Sequence, residues 1–201
     1  MEHTHPVEWA RPRDSGTTVR VVSGMPALEG LPPRESRKVR PGEPYVFGVD
    51  VVVEPTSHFG KVATVSSPIP GSATFEIVSD EGKTVGGEGT APTPLAYFTA
   101  GVAFCLMTHI TGFLKRRPLA ISRLRVELRA NYWTKLGHIS DAGEPEGGCN
   151  GFDVCVLLES SEPPEALRDL IVMCERACIA SQTLAVAVPR QLRVIVNGQA
   201  T

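Results

Sequence analysis

The sequence predicts an α+β fold, and three observations carry this prediction. Valine-rich segments separated by Pro and Gly, which are typical of antiparallel strands, lie in the first half of the chain. A long apolar stretch from Thr93 to Arg117 then predicts a central helix. Two strand patterns, a second helical pattern and a last strand follow it. Strands and helices in this order are typical of the α+β class.

Composition indicates an ordinary soluble globular protein. The chain has 201 residues, 42% of them hydrophobic, and a formal net charge of −2, so it is long enough to bury a sizeable core. This near-neutral charge argues against a nucleic-acid partner, and the basic run from Arg34 to Arg40 is interpreted as a solvated segment. The first residues lack the apolar region of a secretory signal, and the cysteine count of 5 is odd. We therefore expect a cytoplasmic protein with mostly reduced thiols.

The N-terminal part of the chain differs in composition from the rest. Residues 1–44 are rich in Pro, Gly, Arg and Ser, with one β-branched patch at Val19–Val22. They are predicted to form an arm or edge strand followed by a linker, which leaves residues 45–201 as the folded domain.

Three strands and a glycine-rich connection lead to the central helix. Tyr45–Glu54 and Lys61–Ser66 predict an antiparallel hairpin, and Phe75–Ser79 predicts a third strand. Gly86–Thr93 is then a tight strand-to-helix connection. A phosphate-binding loop is an alternative, but no Lys-Ser/Thr pair follows the glycines and no βαβ context surrounds them.

Both ends of the central helix are marked in the sequence. Pro94 suits a first helical turn with Thr93 as N-cap, and Pro118 cannot continue a helix. Nearly every residue between these ends is apolar or small, so we expect the helix to be buried on all sides. Its length would also suit a membrane span, but four polar residues interrupt it and favour the middle of a protein: Thr99, Thr108, His109 and Thr111.

The second half of the chain predicts two strands, a helix and a final strand. Strict alternation of apolar and charged residues over Ile121–Trp133 indicates a strand with one buried face. Thr134–Asn150 is Gly-rich and acidic, so an exposed loop is expected there, followed by a strand over Phe152–Glu159. A helix with Pro163 and Pro164 in its first turn should continue to Leu184, and a strand over Gln191–Val196 should end the domain.

Several of these features, in this order, resemble the OsmC/Ohr family. They are the glycine-rich turn, the Thr-Pro pair before an apolar helix, AGVAFCLMT around Cys105, the strand pair, and ERACIASQTL around Cys178. The resemblance covers roughly residues 46 to 197. It implies an OsmC-like fold, in which antiparallel sheets pack around two central helices, and an intertwined homodimer.

The resemblance also implies thiol-dependent reduction of organic hydroperoxides. Cys105 would attack the O–O bond, Cys178 would resolve the resulting sulfenic acid as a disulfide, and an external dithiol would reduce that disulfide. No metal or organic cofactor is implied, and no nucleic-acid or membrane partner. His109 lies one helical turn beyond Cys105 and, if protonated, would favour its thiolate.

One departure concerns the charged residues that activate the cysteine. Peroxidases of this family pair an Arg from the N-terminal strands with a Glu just after the helix-opening Pro. Here Leu95 stands at the Glu position and cannot form a salt bridge. Glu88 is a candidate replacement for the Glu, and Lys61 and His58 are candidates for the Arg.

Other functions remain open at this point. A non-catalytic protein of this fold could bind a small apolar ligand in a pocket near Cys105, formed by Leu95, Tyr97, Phe98, Phe104 and Met107. In a peroxidase, the same pocket would favour bulky apolar hydroperoxides.

Two further chemistries would use the same cysteines. Cys174 and Cys178 could join His109 or Cys105 in a zinc site, although the usual Cys-x2-Cys framework is missing. A Cys-His hydrolase or acyltransferase would need Cys105 at an exposed elbow beside an oxyanion hole, which a position deep within a helix does not offer.

Overall fold

The computed structural model describes residues 17–33, 42–67, 69–117, 119–135, 144 and 146–200. Its strands and helices are β1 Val19–Val22, β2 Asp50–Pro55, β3 Lys61–Ser66, β4 Thr74–Ser79, α1 Pro94–Arg116, β5 Ile121–Lys135, β6 Glu146–Ser160, α2 Pro164–Ala177, α3 Ile179–Ala185, β7 Ile195–Val196 and β8 Gln199–Ala200. This order confirms the α+β prediction. The chain divides into two compact units, unit 1 (Met1–Pro94 with Gln191–Thr201) and unit 2 (Leu95–Arg190). The domain boundary at residue 44 stays a prediction.

Unit 1 contains an antiparallel sheet of strand order β1-β4-β3-β2. The predicted β2–β3 hairpin is confirmed, and β1 is an edge strand that pairs with β4. The prediction that β2 starts at Tyr45 was wrong, because β2 begins at Asp50. The rings of Tyr45 and Phe47 stack instead, with centroids 5.7 Å apart.

One face of this sheet carries mainly apolar side chains, with Lys61 and Ser79 at one end. Strand alternation and the pairing register place on it Val19, Val21, Val51, Val53, Ala63, Val65, Phe75 and Ile77. Within one chain this apolar sheet face is poorly covered, since Val21 is 66% exposed and Val53 is 57% exposed. On the opposite face, Arg20 donates from Nε and Nη2 to the buried carboxylate of Glu76, at 2.7 and 3.2 Å.

A buried carboxylate organises the glycine-rich connection in unit 1. Asp80 is 3% exposed and accepts hydrogen bonds from the N–H groups of Glu81, Glu88 and Thr90 and from the hydroxyl of Thr90. These donors, the Thr90 N–H first, outweigh the effect of burial and lower the pKa of Asp80. The backbone donors that a phosphate would need at Glu88 and Thr90 are therefore occupied by a carboxylate of the chain itself.

Unit 2 is built from α1, the β5–β6 ribbon and the helices α2 and α3. Its buried cluster contains Leu106 and Ile110 of α1 with Leu170 and Cys174 of α2 and the adjoining Cys178. The predicted alternation in β5 is confirmed. Leu124, Val126 and Leu128 are half-buried, while Arg123, Arg125, Glu127 and Arg129 are exposed.

The loop predicted over Thr134–Asn150 was partly wrong, because the ribbon extends further than expected. β5 continues to Lys135 and β6 begins at Glu146, whereas residues 136–143 and 145 lie outside the described residues. Gly148 pairs with Trp133, and a Cβ on Gly148 would lie 2.8 Å from the indole ring. Because Gly148 has no side chain, it leaves room for the Trp133 ring on the paired strand. Gly148 therefore lies in a strand here and not in a loop.

The second helix and the last strand also differ from the prediction. The helix expected to run to Leu184 is interrupted at Cys178, whose ψ of 108° is extended and whose N–H bonds to Glu175 O at 3.1 Å. The final strand is shorter than predicted and covers only Ile195–Val196, which forms a hairpin with Gln199–Ala200.

Helix α1 confirms the predicted start at Pro94, but not the predicted burial. Its only buried residues in the described chain are Val102, Leu106 and Ile110, and Phe104 is 71% exposed. By length and composition the helix could cross a membrane, with a mean hydropathy of 1.4 over its most apolar window. A single copy of the chain thus leaves much of the surface of α1 in solvent.

The Asp80 contacts generate a stability prediction. Asp80→Asn should lower the free energy of unfolding at pH 7 by about 2 kcal/mol, because an amide group then faces N–H donors inside a buried site. Urea unfolding followed by circular dichroism measures this difference. Glu88→Gln removes a charge from the same loop but keeps the backbone donor, so it should change the free energy by less than about 0.5 kcal/mol.

The pH dependence of the same variant has a defined sign. The folded pKa of Asp80 is lowered, so its stabilisation is fully present above the unfolded pKa, near 3.9, and disappears as the pH falls through the folded pKa. The difference between wild type and Asp80→Asn should therefore shrink in acid. Equal stability of the two proteins at pH 7 would contradict the structural role of Asp80.

Candidate redox site

Cys105 and Cys178 lie together in the interior of unit 2. Cys105 is half-buried on α1, next in sequence to the buried Leu106, and it packs against the buried cluster that contains Cys178. Cys178 is completely buried, and its nearby thiol raises the pKa of Cys105. The sequence prediction that these two thiols are neighbours therefore agrees with the geometry of the unit.

The interruption between α2 and α3 exposes backbone donors to Cys105. The first hydrogen bond within α3 runs from the Gln182 N–H to the carbonyl of Cys178, at 2.9 Å. The N–H groups of Ile179 and Ala180 precede this bond and have no acceptor within the helix. Both lie close enough to Cys105 to lower the pKa of its thiol.

The surroundings of Cys105 include groups that raise the pKa of its thiol and groups that lower it. Burial, the largest effect, raises the pKa of Cys105; the Ala180 N–H lowers it, the neighbouring Cys178 raises it, and the Ile179 N–H lowers it. The net result is a pKa above the ordinary value. No Lys, Arg or His side chain is among these causes.

The other cysteines lie in two different settings. Cys174 is completely buried in the same cluster, and burial raises its pKa. Cys149 and Cys155 are exposed on β6, and all five cysteines are free thiols. Across the described residues, no three His, Cys, Asp or Glu side chains converge to hold a metal ion, so the Cys174 and Cys178 pair lacks the further ligands of a zinc site.

The residues predicted to support Cys105 are divided between the units. His109 lies half-buried on α1 in unit 2, whereas His58, Lys61 and Glu88 lie in unit 1. Lys61 donates to the carbonyl of Phe59 at 2.6 Å and pairs with Glu81 at 3.4 Å. The side chain of Glu88 is exposed, and the backbone N–H of this residue binds Asp80.

An apolar groove of about 470 Å³ lies between α1 and β5. Its lining residues are Leu95, Ala96, Thr99, Ala100, Ala103, Val126, Leu128 and Tyr132. The hydroxyl groups of Thr99 and Tyr132 share a hydrogen bond of 2.9 Å within it. At about 3.6 residues per turn, Ala96, Ala100 and Ala103 lie close to half a turn of the helix away from Cys105, so the groove opens on a different side of α1 from the thiol.

The predicted ligand pocket shares one residue with this groove, Leu95. Phe98 packs edge-on against Phe152, with centroids 6.2 Å apart, and Phe104 points into solvent. Tyr97 and Met107 are half-buried, and burial raises the pKa of Tyr97.

His109 generates a prediction for the reactivity of Cys105. If His109 supports the thiolate from one helical turn away, His109→Gln should slow alkylation of Cys105 at pH 7 by about threefold. The measurement is the rate of iodoacetamide labelling, followed at Cys105 by peptide mass spectrometry. The same substitution at His58 in unit 1 is the matched control, and an unchanged rate in His109→Gln would remove His109 from the mechanism.

Comparison with known proteins assigns the family. A family model described as OsmC-like protein matches residues 87–193. An OsmC-like hydroperoxide resistance protein from Jannaschia sp. CCS1 has 29% identity and a TM-score of 0.49, with 76% of this chain and 95% of that chain covered. An OsmC-like protein from Mycoplasma pneumoniae has 18% identity and a TM-score of 0.50, with 70% and 88% covered.

A further match carries a similar name. The organic hydroperoxide resistance protein OhrB of Bacillus subtilis has 19% identity and a TM-score of 0.39, with 69% of this chain and 89% of that chain covered. No curated protein sequence matches at a significant level. The family model spans more than half of the chain, and the mixed helices and antiparallel sheets agree with it. The chain therefore belongs to the OsmC-like protein family.

Proposed function

We propose that this protein is a thiol-dependent peroxidase that reduces organic hydroperoxides through Cys105 and Cys178. The observation that carries the proposal is the packing of Cys105, which is half-exposed, against the buried cluster that contains Cys178 inside unit 2. A peroxidase with this pair needs a reactive thiol that a substrate can reach and a second thiol that can trap its oxidised form. Membership of the OsmC-like family supports the same chemistry.

The proposed reaction has three balanced steps. The Cys105 thiolate attacks the O–O bond of a hydroperoxide, which forms a sulfenic acid on Cys105 and releases an alkoxide that takes up a proton to become an alcohol. The Cys178 thiol condenses with this sulfenic acid, which forms a disulfide and releases water. An external dithiol then reduces the disulfide and is itself oxidised.

Burial assigns different roles to the two sulfur atoms. Cys105 is the sulfur that a hydroperoxide can reach, because Cys178 has no exposed surface. The reducing dithiol should attack Cys105 for the same reason, with Cys178 as the leaving thiolate. The proposed chemistry uses no metal or organic cofactor. A reducing compartment such as the cytoplasm would keep the thiols in their reduced form. The apolar surroundings of Cys105 favour bulky apolar hydroperoxides.

We also propose that the active form is a homodimer. Both units leave apolar surface in solvent: the apolar sheet face in unit 1, and the side of α1 that carries Phe104 in unit 2. Surfaces of this extent usually mark an interface. A second copy is the proposed occupant because the implied OsmC-like fold is built as an intertwined dimer.

The redox pair predicts a specific disulfide. After one equivalent of cumene hydroperoxide, wild type should form a Cys105–Cys178 disulfide that a dithiol reverses, detected by non-reducing peptide mass spectrometry. Cys178→Ser should accumulate sulfenic acid on Cys105, and sulfinic acid once a second equivalent is added, while Cys174→Ser, the matched control, should behave as wild type. If Cys105 in wild type oxidises no faster than free cysteine, the peroxidase proposal fails.

The proposed dimer has its own test. Phe104→Glu should raise the dimer dissociation constant by at least about tenfold, because a charge would be buried at the interface, and sedimentation equilibrium measures this constant. Leu157→Glu is the matched control, since Leu157 is exposed on the charged face of the ribbon. A wild-type protein that sediments as a monomer at micromolar concentration would overturn the proposal.

A further inference from the structure

We infer that the apolar groove between α1 and β5 binds a neutral apolar molecule that ends in a hydroxyl group, such as a linear alcohol, and that this hydroxyl donates a hydrogen bond to Tyr132. All residues that line the groove belong to unit 2. The groove opens on a different side of α1 from Cys105. It is therefore a second site, and the inference does not rest on the proposed function.

Two hydrogen bonds at this groove have a fixed direction. The Oγ1 atom of Thr99 lies 2.7 Å from the carbonyl oxygen of Leu95 and 2.9 Å from the hydroxyl oxygen of Tyr132. A carbonyl oxygen can only accept, so the single hydroxyl proton of Thr99 is donated to Leu95. Tyr132 is therefore the donor in the second bond, and its own proton is occupied by Thr99.

The hydroxyl oxygen of Tyr132 is left with acceptor capacity alone. Within the part of the chain that the structure describes, Thr99 is the one hydrogen-bond partner of this hydroxyl. Tyr132 is half-buried and lines the groove. A ligand with an O–H group can donate to the Tyr132 oxygen, whereas an ether or a carboxylate offers only acceptors. The hydroxyl pair therefore selects a ligand that carries a donor.

The rest of the lining favours a neutral molecule. Apart from Thr99 and Tyr132, the lining side chains are all apolar. A charged group would lose its hydration in the groove, and the described lining residues would give it no ion partner in return. The volume of about 470 Å³ lies within the range of small-molecule sites, roughly 300–1,000 Å³.

Aromatic packing holds Tyr132 towards one end of the groove. Its ring meets that of Phe152 edge-on, with centroids 6.1 Å apart, and Phe152 packs edge-on against Phe98. Val126 also lines the groove and lies roughly 20 Å from Tyr132 along β5, at about 3.3 Å per residue. A linear chain can therefore extend from the hydroxyl pair along the apolar remainder of the groove.

The groove also differs from the surface proposed for dimerisation. At about 3.6 residues per turn, Phe104 lies about a quarter of a turn around α1 from Ala96, which lines the groove. A second copy that packs on the Phe104 side leaves the groove open to a small molecule. If a second copy instead covered the groove, wild type would bind no alcohol, and this result would overturn the inference.

Wild-type protein provides the first test. The probes are n-octanol, its isomer heptyl methyl ether, and octanoate, each titrated into the ¹⁵N-labelled full chain, with dissociation constants taken from the amide shifts of Ala96, Ala100 and Ala103. We expect n-octanol to bind at least about tenfold more tightly than the ether, because only the alcohol can donate to Tyr132. Octanoate should bind more weakly than the alcohol as well. Equal constants for the alcohol and the ether would contradict the inference.

A substitution at Thr99 should change the ligand preference. In Thr99→Val the proton of Tyr132 becomes available to a ligand, so the ether should bind about five- to tenfold more tightly than it binds wild type. Thr108→Val is the matched control, because it removes the same kind of bond, from Thr108 to the carbonyl of Phe104 at 2.8 Å, outside the groove lining. A bond that only tethers α1 to β5 would leave the preference of Thr99→Val unchanged, and that result would refute the inference.

A variant of the thiol separates this site from the redox site. Cys105→Ser should bind n-octanol as tightly as wild type does, because the thiol lies on another side of α1. Loss of binding in Cys105→Ser would place the alcohol at the thiol and overturn the inference. Failure of the peroxidase test with cumene hydroperoxide would leave these binding results as they are.

Discussion

The burial of Cys105 beside Cys178 is the constraint on which the chemistry of unit 2 depends. Burial packs Cys105 against the cluster that contains Cys178 and keeps solvent away, but it also disfavours the thiolate that the chemistry requires. The helical segment is interrupted at Cys178, which lies completely buried between α2 and α3.

Burial and hydrogen-bond donors act in opposite directions on the pKa of a buried acid. Asp80 in unit 1 accepts from three backbone N–H groups and one hydroxyl, and its pKa is lowered although the residue is 3% exposed. Cys105 in unit 2 lies beside the Cys178 thiol, and burial, the largest cause, raises its pKa. Hydrogen-bond donors therefore favour the charged form of Asp80, whereas burial favours the neutral thiol of Cys105.

Much of this structure could be predicted from the sequence, for reasons that also explain the failures. The alternation of β5, the proline that opens α1 and the helical spacing of Leu170, Cys174 and Cys178 are local patterns with direct structural meaning. The interruption at Cys178 has no Gly or Pro to mark it and is determined by tertiary contacts. In the sequence, Gly148 suggests a loop. In the structure, it leaves room for the Trp133 ring on the paired strand. The predicted pocket failed to match the groove because helical spacing does not say which side of α1 stays open.

The distribution of the thiols has a practical consequence for handling the protein. Cys149 and Cys155 are the accessible cysteines, and they lie on β6, away from the buried cluster. A bulk thiol titration or a maleimide dye will therefore report first on the ribbon and not on the redox pair. During aerobic storage the same two cysteines can link separate molecules covalently, so a band of doubled mass on a non-reducing gel says nothing about the non-covalent association of the chains. Replacing both by serine would give a background on which every remaining thiol signal comes from the buried cluster.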